Sequence, residues 1–254
     1  MQGEPRRVIS SGVDIAVYEH GEGEPILLIH GFASSALTNW YEPGWVRYLA
    51  SAGHRVISVD NRGHGRSAKL YASELYTAPT MARDAAAVIE ELGIGPVHVM
   101  GYSMGARITT FLTMQAPELV KTAILAGLAE NMIKGVPGGE KVAQGLEAPS
   151  LEHVTDAQAR AFRIFADRTS SDRAALAACM RAARQEISEQ ELSVIDRPVL
   201  VAAGTEDDIA GEIEPLRSAI AGAEALPIPR RDHMRAVGDK VYMDGVLRFI
   251  RSHG

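Results

Sequence analysis

The stretch Val-His-Val-Met-Gly-Tyr-Ser-Met-Gly-Ala, residues 97–106, decides the fold. Residues 97–100 form a short, mostly apolar run that predicts a buried strand, and residues 106–115 have the composition of a helix. A serine flanked by glycines between a strand and a helix is typical of a sharp turn that exposes the serine hydroxyl. We expect side chains at Gly101 or Gly105 to collide with this turn, which makes Ser103 a candidate nucleophile. A glycine-rich turn that only packs helix on strand is the alternative.

A serine hydroxyl is a poor nucleophile at neutral pH and needs a neighbouring base that a carboxylate orients. Three carboxylates, Glu206, Asp207 and Asp208, follow the apolar run 199–203, where open α/β sheets build their sites. Further along, His233 lies between the strand-like residues 226–229 and the last predicted helix, 241–250. The chain therefore offers a serine, an acid and a histidine in that order.

The rest of the chain alternates short apolar runs with helical patterns, which predicts a mainly parallel sheet covered by helices on both faces. An apolar stripe of period three and four over residues 81–92 predicts a helix that ends at Gly93. Two earlier runs, residues 7–10 and 13–18, are read as an antiparallel hairpin at the sheet edge.

The pattern changes over residues 128–197, where capping residues mark three helix starts, Thr155 with Gln158, Ser171 with Asp172 and Ser188 with Glu191. These helices have modest apolar faces, such as Phe162 with Phe165. We predict a core formed by residues 1–127 and 198–254, with residues 128–197 inserted as a helical lid.

The elbow at Ser103 and the order Ser, acid, His make the chain resemble the α/β-hydrolase superfamily. The resemblance extends to His30-Gly31-Phe32 and to the polar turn Asp60–Ser67, each after a predicted strand, and so covers nearly the whole chain. It implies an α/β fold with a mostly parallel eight-stranded sheet and a helical cap over the site. It also implies that the turn Asp60–Ser67 is architectural, its glycines allowing positive φ.

The resemblance further implies a site. The backbone N–H groups of Phe32 and Met104 would form an oxyanion hole, and Asp207 would be the acid, because the family usually places it three residues after the glycine that ends the strand. Asp208 and Glu206 are then solvated neighbours. Glu130 stays an alternative, since some members take the acid from an earlier loop.

Several other residues admit both a structural and a functional reading. His30 could bind a metal, but no nearby His, Asp or Glu spacing completes a ligand set, so we expect it to shape the oxyanion loop and predict no metal site. Trp40 and Tyr102 are candidate pocket residues, and Tyr41 and Trp45, which also follow the oxyanion loop, could line the same pocket. Large aromatic side chains near a core more often serve packing. Arg107 could form an ion pair or touch substrate.

Composition limits the partners. The chain has 254 residues, with 26 Lys and Arg against 32 Asp and Glu and a net charge of −6, so nucleic acid is not the expected ligand. No run approaches the roughly 20 apolar residues of a membrane span, and no apolar signal segment follows the N-terminal charges. The lone Cys179 fits a reducing compartment. We expect a cytoplasmic protein that takes a small acyl substrate. The sequence leaves the oligomeric state open.

Together these features predict a serine hydrolase that cleaves an ester or related acyl bond through an acyl-enzyme, without a cofactor. A carbon–carbon bond hydrolase with the same triad is the second interpretation, although such relatives often carry Asn where this chain has Tyr102. A ligand sensor that keeps the triad but turns over slowly is the third.

Overall fold

A computed structural model describes residues 3–135, 137–182 and 187–254. Within these residues, eight strands form one sheet in the order β1-β2-β4-β3-β5-β6-β7-β8. The strands are β1 Arg6–Ser10, β2 Val13–His20, β3 Glu24–Ile29, β4 His54–Val59, β5 Val97–Tyr102, β6 Val120–Ala126, β7 Val199–Gly204 and β8 Glu224–Ile228. The predicted fold class, a mostly parallel eight-stranded α/β sheet, is confirmed.

Helices connect these strands. They are α1 Trp45–Ser51, α2 Ala78–Leu92, α3 Met104–Gln115, α4 Glu130–Lys134, α5 Gly139–Glu147, α6 Ala157–Arg168, α7 Arg173–Arg181, α8 Glu189–Leu192, α9 Ile213–Ala219, α10 His233–Ala236 and α11 Lys240–Ser252. The apolar stripe that predicts α2 is buried, and Gly93 ends the helix in a left-handed conformation with φ 61°. The predicted helix stop is therefore correct.

The direction of the strands determines which loops meet. β1 pairs with β2 and β2 with β4 in antiparallel fashion, so the predicted hairpin lies at the sheet edge. Every pairing from β4 and β3 onward to β8 is parallel. Because parallel strands end at the same edge, the loops that follow β3, β5, β7 and β8 come together there.

Alternation along the central strands divides the core between the two faces of the sheet. Leu27 and Ile29 pack into a cluster with α2 and α3, while Ile26 and Leu28 pack into a second cluster with α1 and α11. A strand buried on both faces needs apolar residues at consecutive positions, which explains the apolar run 26–29.

The helical insertion comprises α4 to α8, between β6 and β7. The predicted capping box of Ser188 and Glu191 is present at the start of α8. The other two starts were predicted one residue early, because Asp156 and Asp172 cap α6 and α7 with their carboxylates. Residues 136 and 183–186 of the predicted lid lie outside the described residues, and the division of the chain into core and lid stays a prediction.

The polar turn after β4 ties loops together, as the resemblance implies. The Asp60 carboxylate accepts hydrogen bonds from Tyr18 Oη at 2.9 Å and from the backbone N–H groups of Ala36 and Arg66 at 2.8 Å each. Gly65 lies against it with φ 46°, where an added Cβ would come within 2.2 Å of Asp60. The residue must therefore be glycine.

The same turn is attached to α2 by a buried ion pair. Arg62 donates from Nε and Nη2 to the two carboxylate oxygens of Asp84 at 2.6 and 2.7 Å, and the side chains are 2% and 7% exposed. Bidentate geometry compensates the desolvation of both charges only while both partners are present.

No helix in the described ranges combines the length and apolar character needed to cross a lipid bilayer. The cytoplasmic location stays a prediction.

We predict that Asp84→Ala lowers the free energy of unfolding by about 3–5 kcal/mol, because it leaves the Arg62 guanidinium buried without its counter-charge. Urea denaturation at pH 7 measures the change. Asp14→Ala is the matched control, since its pair with Arg7 is 43% exposed on both sides and should contribute less than about 1 kcal/mol. Equal effects of the two substitutions would contradict this account of the turn.

Candidate active site

Ser103 lies in the turn between β5 and α3 with a strained backbone. Its φ of 56° and ψ of −115° belong to a region that non-glycine residues rarely adopt. Its N–H donates to Ala126 O at 2.7 Å, which holds the turn against β6. A Cβ added at Gly101 would lie 2.1 Å from Gly105 O, and one at Gly105 would lie 2.0 Å from Ile29 O. The predicted collisions at both glycines are therefore present.

Asp207 and His233 meet at the edge of the sheet where β7 and β8 end. His233 Nδ1 lies 3.0 and 2.9 Å from the two carboxylate oxygens of Asp207, whose side chain is fully buried. The carboxylate also accepts the N–H groups of Ile209 and Ala210 at 3.0 and 2.9 Å. Because a carboxylate only accepts, Nδ1 carries the proton in the neutral ring and Nε2 is an acceptor.

The other candidate acids do not share this position. Glu206 and Asp208 are exposed on the same loop. Glu130 forms an ion pair with Lys134 one turn along α4. Among the described residues, Asp207 is the acid that contacts the His233 ring.

Tyr102 orients the histidine from below. Its hydroxyl donates to His233 O at 2.6 Å, and the two rings lie 5.3 Å apart. Burial raises the pKa of the Tyr102 phenol well above its usual value, so the group remains a donor. Tyr102 thus fixes the start of α10.

A large cavity of about 900 Å³ opens above these residues, and Ser103, His233 and Tyr102 all line it. Ser103 Oγ makes no hydrogen bond within the described parts of the chain, although it faces the same cavity as the imidazole. Such bonds are often long in unliganded enzymes and shorten when substrate binds.

The prediction that Trp40 lines the substrate pocket is wrong. Trp40 is fully buried, packs edge-to-face on Trp45 at 6.3 Å in the core beside α11, and does not line the large cavity in the described ranges. Instead, Phe162 and Phe165 of α6 line that cavity. An apolar helix face reads the same in sequence whether it packs or lines a cavity, so no signal separated the two roles.

The loop after β3 lies close to Ser103, since a Cβ added at Gly31 would come within 3.3 Å of the Ser103 Cβ. His30 Nδ1 lies 2.7 Å from Gly31 O and its Nε2 accepts the Asn61 N–H at 3.0 Å, while Asn39 Oδ1 accepts the Gly31 N–H at 3.1 Å. These bonds orient the peptide unit that carries the Phe32 N–H. Neither that N–H nor the Met104 N–H, the first of α3, has an acceptor among the described hydrogen bonds.

Two histidines next to this loop are neutral at neutral pH. Burial is the largest cause that lowers the pKa of His30 to about 4 and that of His64 to about 3. Their rings lie 5.2 Å apart, and that of His64 contacts Phe32. Among the described residues, no three His, Cys, Asp or Glu side chains lie together as a metal site. The contacts of His30 are those of a residue that shapes the loop.

Arg107, one turn into α3, donates from Nη2 to the carbonyl oxygens of Asn131 and Met132 at 3.2 and 2.9 Å. The guanidinium thereby attaches the beginning of the helical insertion to the helix that follows Ser103.

Comparisons with known proteins connect this chain to one fold family. Residues 24–185 match the family described as alpha/beta hydrolase fold. The chain is 35% identical over 162 residues to BpoC of Mycobacterium tuberculosis, which is named as a non-heme bromoperoxidase. The matched residues are 63% of this chain and 60% of that protein. The solved structure of BpoC superimposes with a TM-score of 0.72 at 28% identity, over 94% of this chain and 96% of that one.

Two further proteins are similar. Rhodomycin D methylesterase DauP of Streptomyces is 34% identical over 157 residues, which are 58% of this chain and 52% of that protein. The structure of Est816, described as an N-acyl homoserine lactone degrading enzyme, superimposes with a TM-score of 0.77 at 25% identity, over 96% of this chain and 99% of that one. The matched segment thus spans between half and two thirds of BpoC and DauP.

We predict that Ser103→Gly is more stable than Ser103→Ala by about 1 kcal/mol. Glycine relieves a backbone strain of about 1–3 kcal/mol and loses about 0.4–1 kcal/mol through the freedom of the unfolded chain. Urea denaturation of the two variants measures the difference. An alanine variant as stable as the glycine variant would contradict the strain at this position.

We also predict that acid destabilises the protein through His30 and His64. Both pKa values are lower in the folded state, so the unfolded state binds more protons as the pH falls below about 6.5, and stability is lost by about 1.4 kcal/mol per pH unit for each histidine. The loss ends near pH 4 for His30 and pH 3 for His64. Urea denaturation between pH 7 and 5 measures the slope.

His64→Gln should reduce the pH slope of the unfolding free energy by about 1.4 kcal/mol per pH unit, which is the contribution of one histidine. His20→Gln, at an exposed position, should leave the slope unchanged. An unaltered slope in the His64 variant would show that the acid sensitivity arises elsewhere.

Proposed function

We propose, because this chain belongs to the α/β hydrolase fold family, that it is a serine hydrolase that cleaves an ester or related acyl bond of a small molecule. Ser103 is the nucleophile, His233 the general base and Asp207 the acid that orients it. The observation that carries the proposal is the pair of hydrogen bonds between His233 Nδ1 and the buried Asp207 carboxylate, beside a strained serine in one cavity.

In the first half of the reaction, Ser103 Oγ attacks the acyl carbon while His233 Nε2 takes its proton. The resulting imidazolium is stabilised by Asp207, which also keeps Nδ1 protonated and Nε2 directed at the cavity. His233 then gives the proton to the leaving group, and the acyl group remains on Ser103. The three side chains act as a unit, because Asp207 orients His233 and His233 activates Ser103.

The negative charge on the tetrahedral intermediate is bound by the Phe32 and Met104 N–H groups. Their free hydrogen-bonding capacity and the fixed peptide after His30 support this role. Donors held in place before the reaction stabilise the developing charge without reorganisation. One such donor lowers the activation barrier by about 3–4 kcal/mol.

In the second half, a water activated by His233 hydrolyses the acyl-enzyme. These steps use only groups of this chain and water. We propose that the helical insertion, residues 128–197, acts as a lid, because Phe162 and Phe165 of this insertion line the large cavity together with Ser103. A lid that excludes water strengthens the electrostatic interactions beneath it.

The names of the relatives favour acyl chemistry without selecting one substrate. DauP is named as a methylesterase, Est816 is described as an N-acyl homoserine lactone degrading enzyme, and BpoC bears the name of a peroxidase. A carbon–carbon hydrolase with the same triad is the alternative, and a slow ligand sensor is another. The hydroxyl of Tyr102 is occupied by His233 O, which makes it an unsuitable replacement for the Asn of carbon–carbon hydrolases.

We predict that Asp207→Asn lowers kcat for 4-nitrophenyl acetate by about 10⁴-fold with the fold intact, because the imidazole loses the group that fixes its tautomer. Ser103→Ala should abolish turnover. Steady-state release of nitrophenol measures both, and circular dichroism checks the fold.

Asp208→Asn, on the exposed neighbour, is the matched control and should keep activity within a few-fold. A loss of turnover in this variant rather than in Asp207→Asn would assign the acid to Asp208. A single covalent event on Ser103 without turnover would favour the sensor.

A further inference from the structure

Two spaces of very different size meet at Ser103. One is the large cavity of about 900 Å³, and the other is a small pocket of about 50 Å³ on the side of the helical insertion. The residues that line the small pocket include Phe32, Met104, Leu128, Gly139, Val142 and Phe162. The Phe32 and Met104 residues proposed to bind the oxyanion therefore border it.

The histidine determines which part of a substrate enters which space. His233 lines the large cavity but, in the described ranges, does not line the small pocket. The general acid must reach the atom that leaves, so the leaving group extends into the large cavity. The remaining substituent of the tetrahedral carbon points away from the imidazole, and the small pocket is the space on that side of Ser103.

An aromatic pair, Phe32 and Phe162, lies at the boundary of the two spaces, which Ser103, Gln158 and Ile209 also line. Phe162 lines both, and its ring packs edge-to-face on that of Phe32 with centroids 5.4 Å apart and an angle of 72°. Such pairs stabilise their geometry by about 0.5–1.5 kcal/mol beyond burial. The packed pair thus gives both spaces a common aromatic wall.

The walls of the small pocket give it little room to expand. Val142 and Leu128 are 2% and 3% exposed, and each belongs to a packed core cluster. Because such interiors are close-packed, extra methylenes force neighbouring side chains from their rotamers and cost about 1–3 kcal/mol. A cavity needs about 10–15 Å³ to hold one water molecule, so a pocket of about 50 Å³ holds only a few non-hydrogen atoms.

The large cavity has a different character. The α6 residues Phe162, Ile164 and Phe165 supply an apolar wall, and Val237 supplies another beyond His233. Volumes of 300–1,000 Å³ are typical of sites that enclose a whole small molecule. The space beside the general acid therefore accepts a bulky group.

We infer that the preferred substrates are esters of a short acyl group, about two to four carbons long, with a bulky, largely apolar alcohol or phenol. This inference rests on the proposed function, because it assigns the two spaces through the roles of Ser103 and His233. Arg107 does not extend the inference to a charged acyl group, since its Nη2 donates to the carbonyl oxygens of Asn131 and Met132.

The first test varies each half of the ester separately. For 4-nitrophenyl esters, kcat/KM should fall at least tenfold from acetate to hexanoate. For acetates, kcat/KM should be maintained or rise from phenyl to 2-naphthyl. Hexanoate hydrolysed as well as acetate, or 2-naphthyl acetate at least tenfold slower than phenyl acetate, would overturn the inference.

Matched substitutions then alter one wall at a time. Val142→Ala enlarges only the small pocket and should raise the ratio of hexanoate to acetate kcat/KM at least tenfold. Val237→Ala removes the same atoms from the large cavity and should leave that ratio unchanged. If Val237→Ala rather than Val142→Ala shifts the ratio, the assignment of the spaces is reversed and the inference fails.

Gly139→Ala narrows the small pocket. An added Cβ would meet Met180 O at 3.4 Å, an ordinary contact, so we expect the variant to fold. Its kcat/KM for butyrate should fall relative to acetate. An unchanged ratio in a variant with wild-type thermal stability would contradict the assignment of the acyl group to this pocket.

Covalent labelling provides a readout that does not need turnover. Intact-mass measurement should show faster labelling of Ser103 by a 4-nitrophenyl methylphosphonate ester than by its hexylphosphonate homologue. Equal rates would overturn the inference even in a slow sensor. By contrast, labelling with this preference but without turnover of any ester would contradict the proposed hydrolase alone, and a Ser103→Ala variant that still turns over acetate would contradict both.

Discussion

The close approach of backbone to backbone at the turn after β5 is the constraint on which the site depends. Gly101 and Gly105 leave no room for a Cβ, so α3 begins directly against β3 and β5. Ser103 must then adopt a positive φ, which raises its hydroxyl clear of the sheet. Met104, whose N–H has no acceptor among the described hydrogen bonds, is the first residue of α3. One steric requirement thus places the proposed nucleophile and a proposed oxyanion donor at adjacent residues.

Much of this arrangement follows from sequence because it depends on residue types with few structural alternatives. The glycines at 101 and 105 and the apolar runs of the central strands each favour one geometry, whereas the choice of Asp207 among three neighbouring carboxylates came from the family resemblance. Parallel pairing then brings the ends of β5, β7 and β8 to one edge, although about 130 residues separate Ser103 from His233. The predicted acid and histidine accordingly meet.

Other features could not be read from the chain, since they depend on packing between distant segments. Trp40 follows the loop that shapes the site, yet its ring turns into the core against Trp45. Phe162 has the spacing of an ordinary packing residue, yet it lines both spaces that meet at Ser103. The predicted N-cap of α6, Thr155, was one residue too early. Thr155 and Asp156 are both good capping residues, and only the path of the chain selects the Asp156 carboxylate.

In the proposed mechanism, chemistry and selectivity come from different parts of the molecule. The groups proposed to react belong to loops that the sheet holds in place, whereas Val142 and Phe162, which limit the two spaces, belong to the helical insertion. A substitution in α5 or α6 can therefore change the volume beside the serine without moving the hydrogen bonds between Asp207 and His233. Since one buried methylene is worth about 0.8 kcal/mol, a few such changes suffice to alter acyl preference more than tenfold.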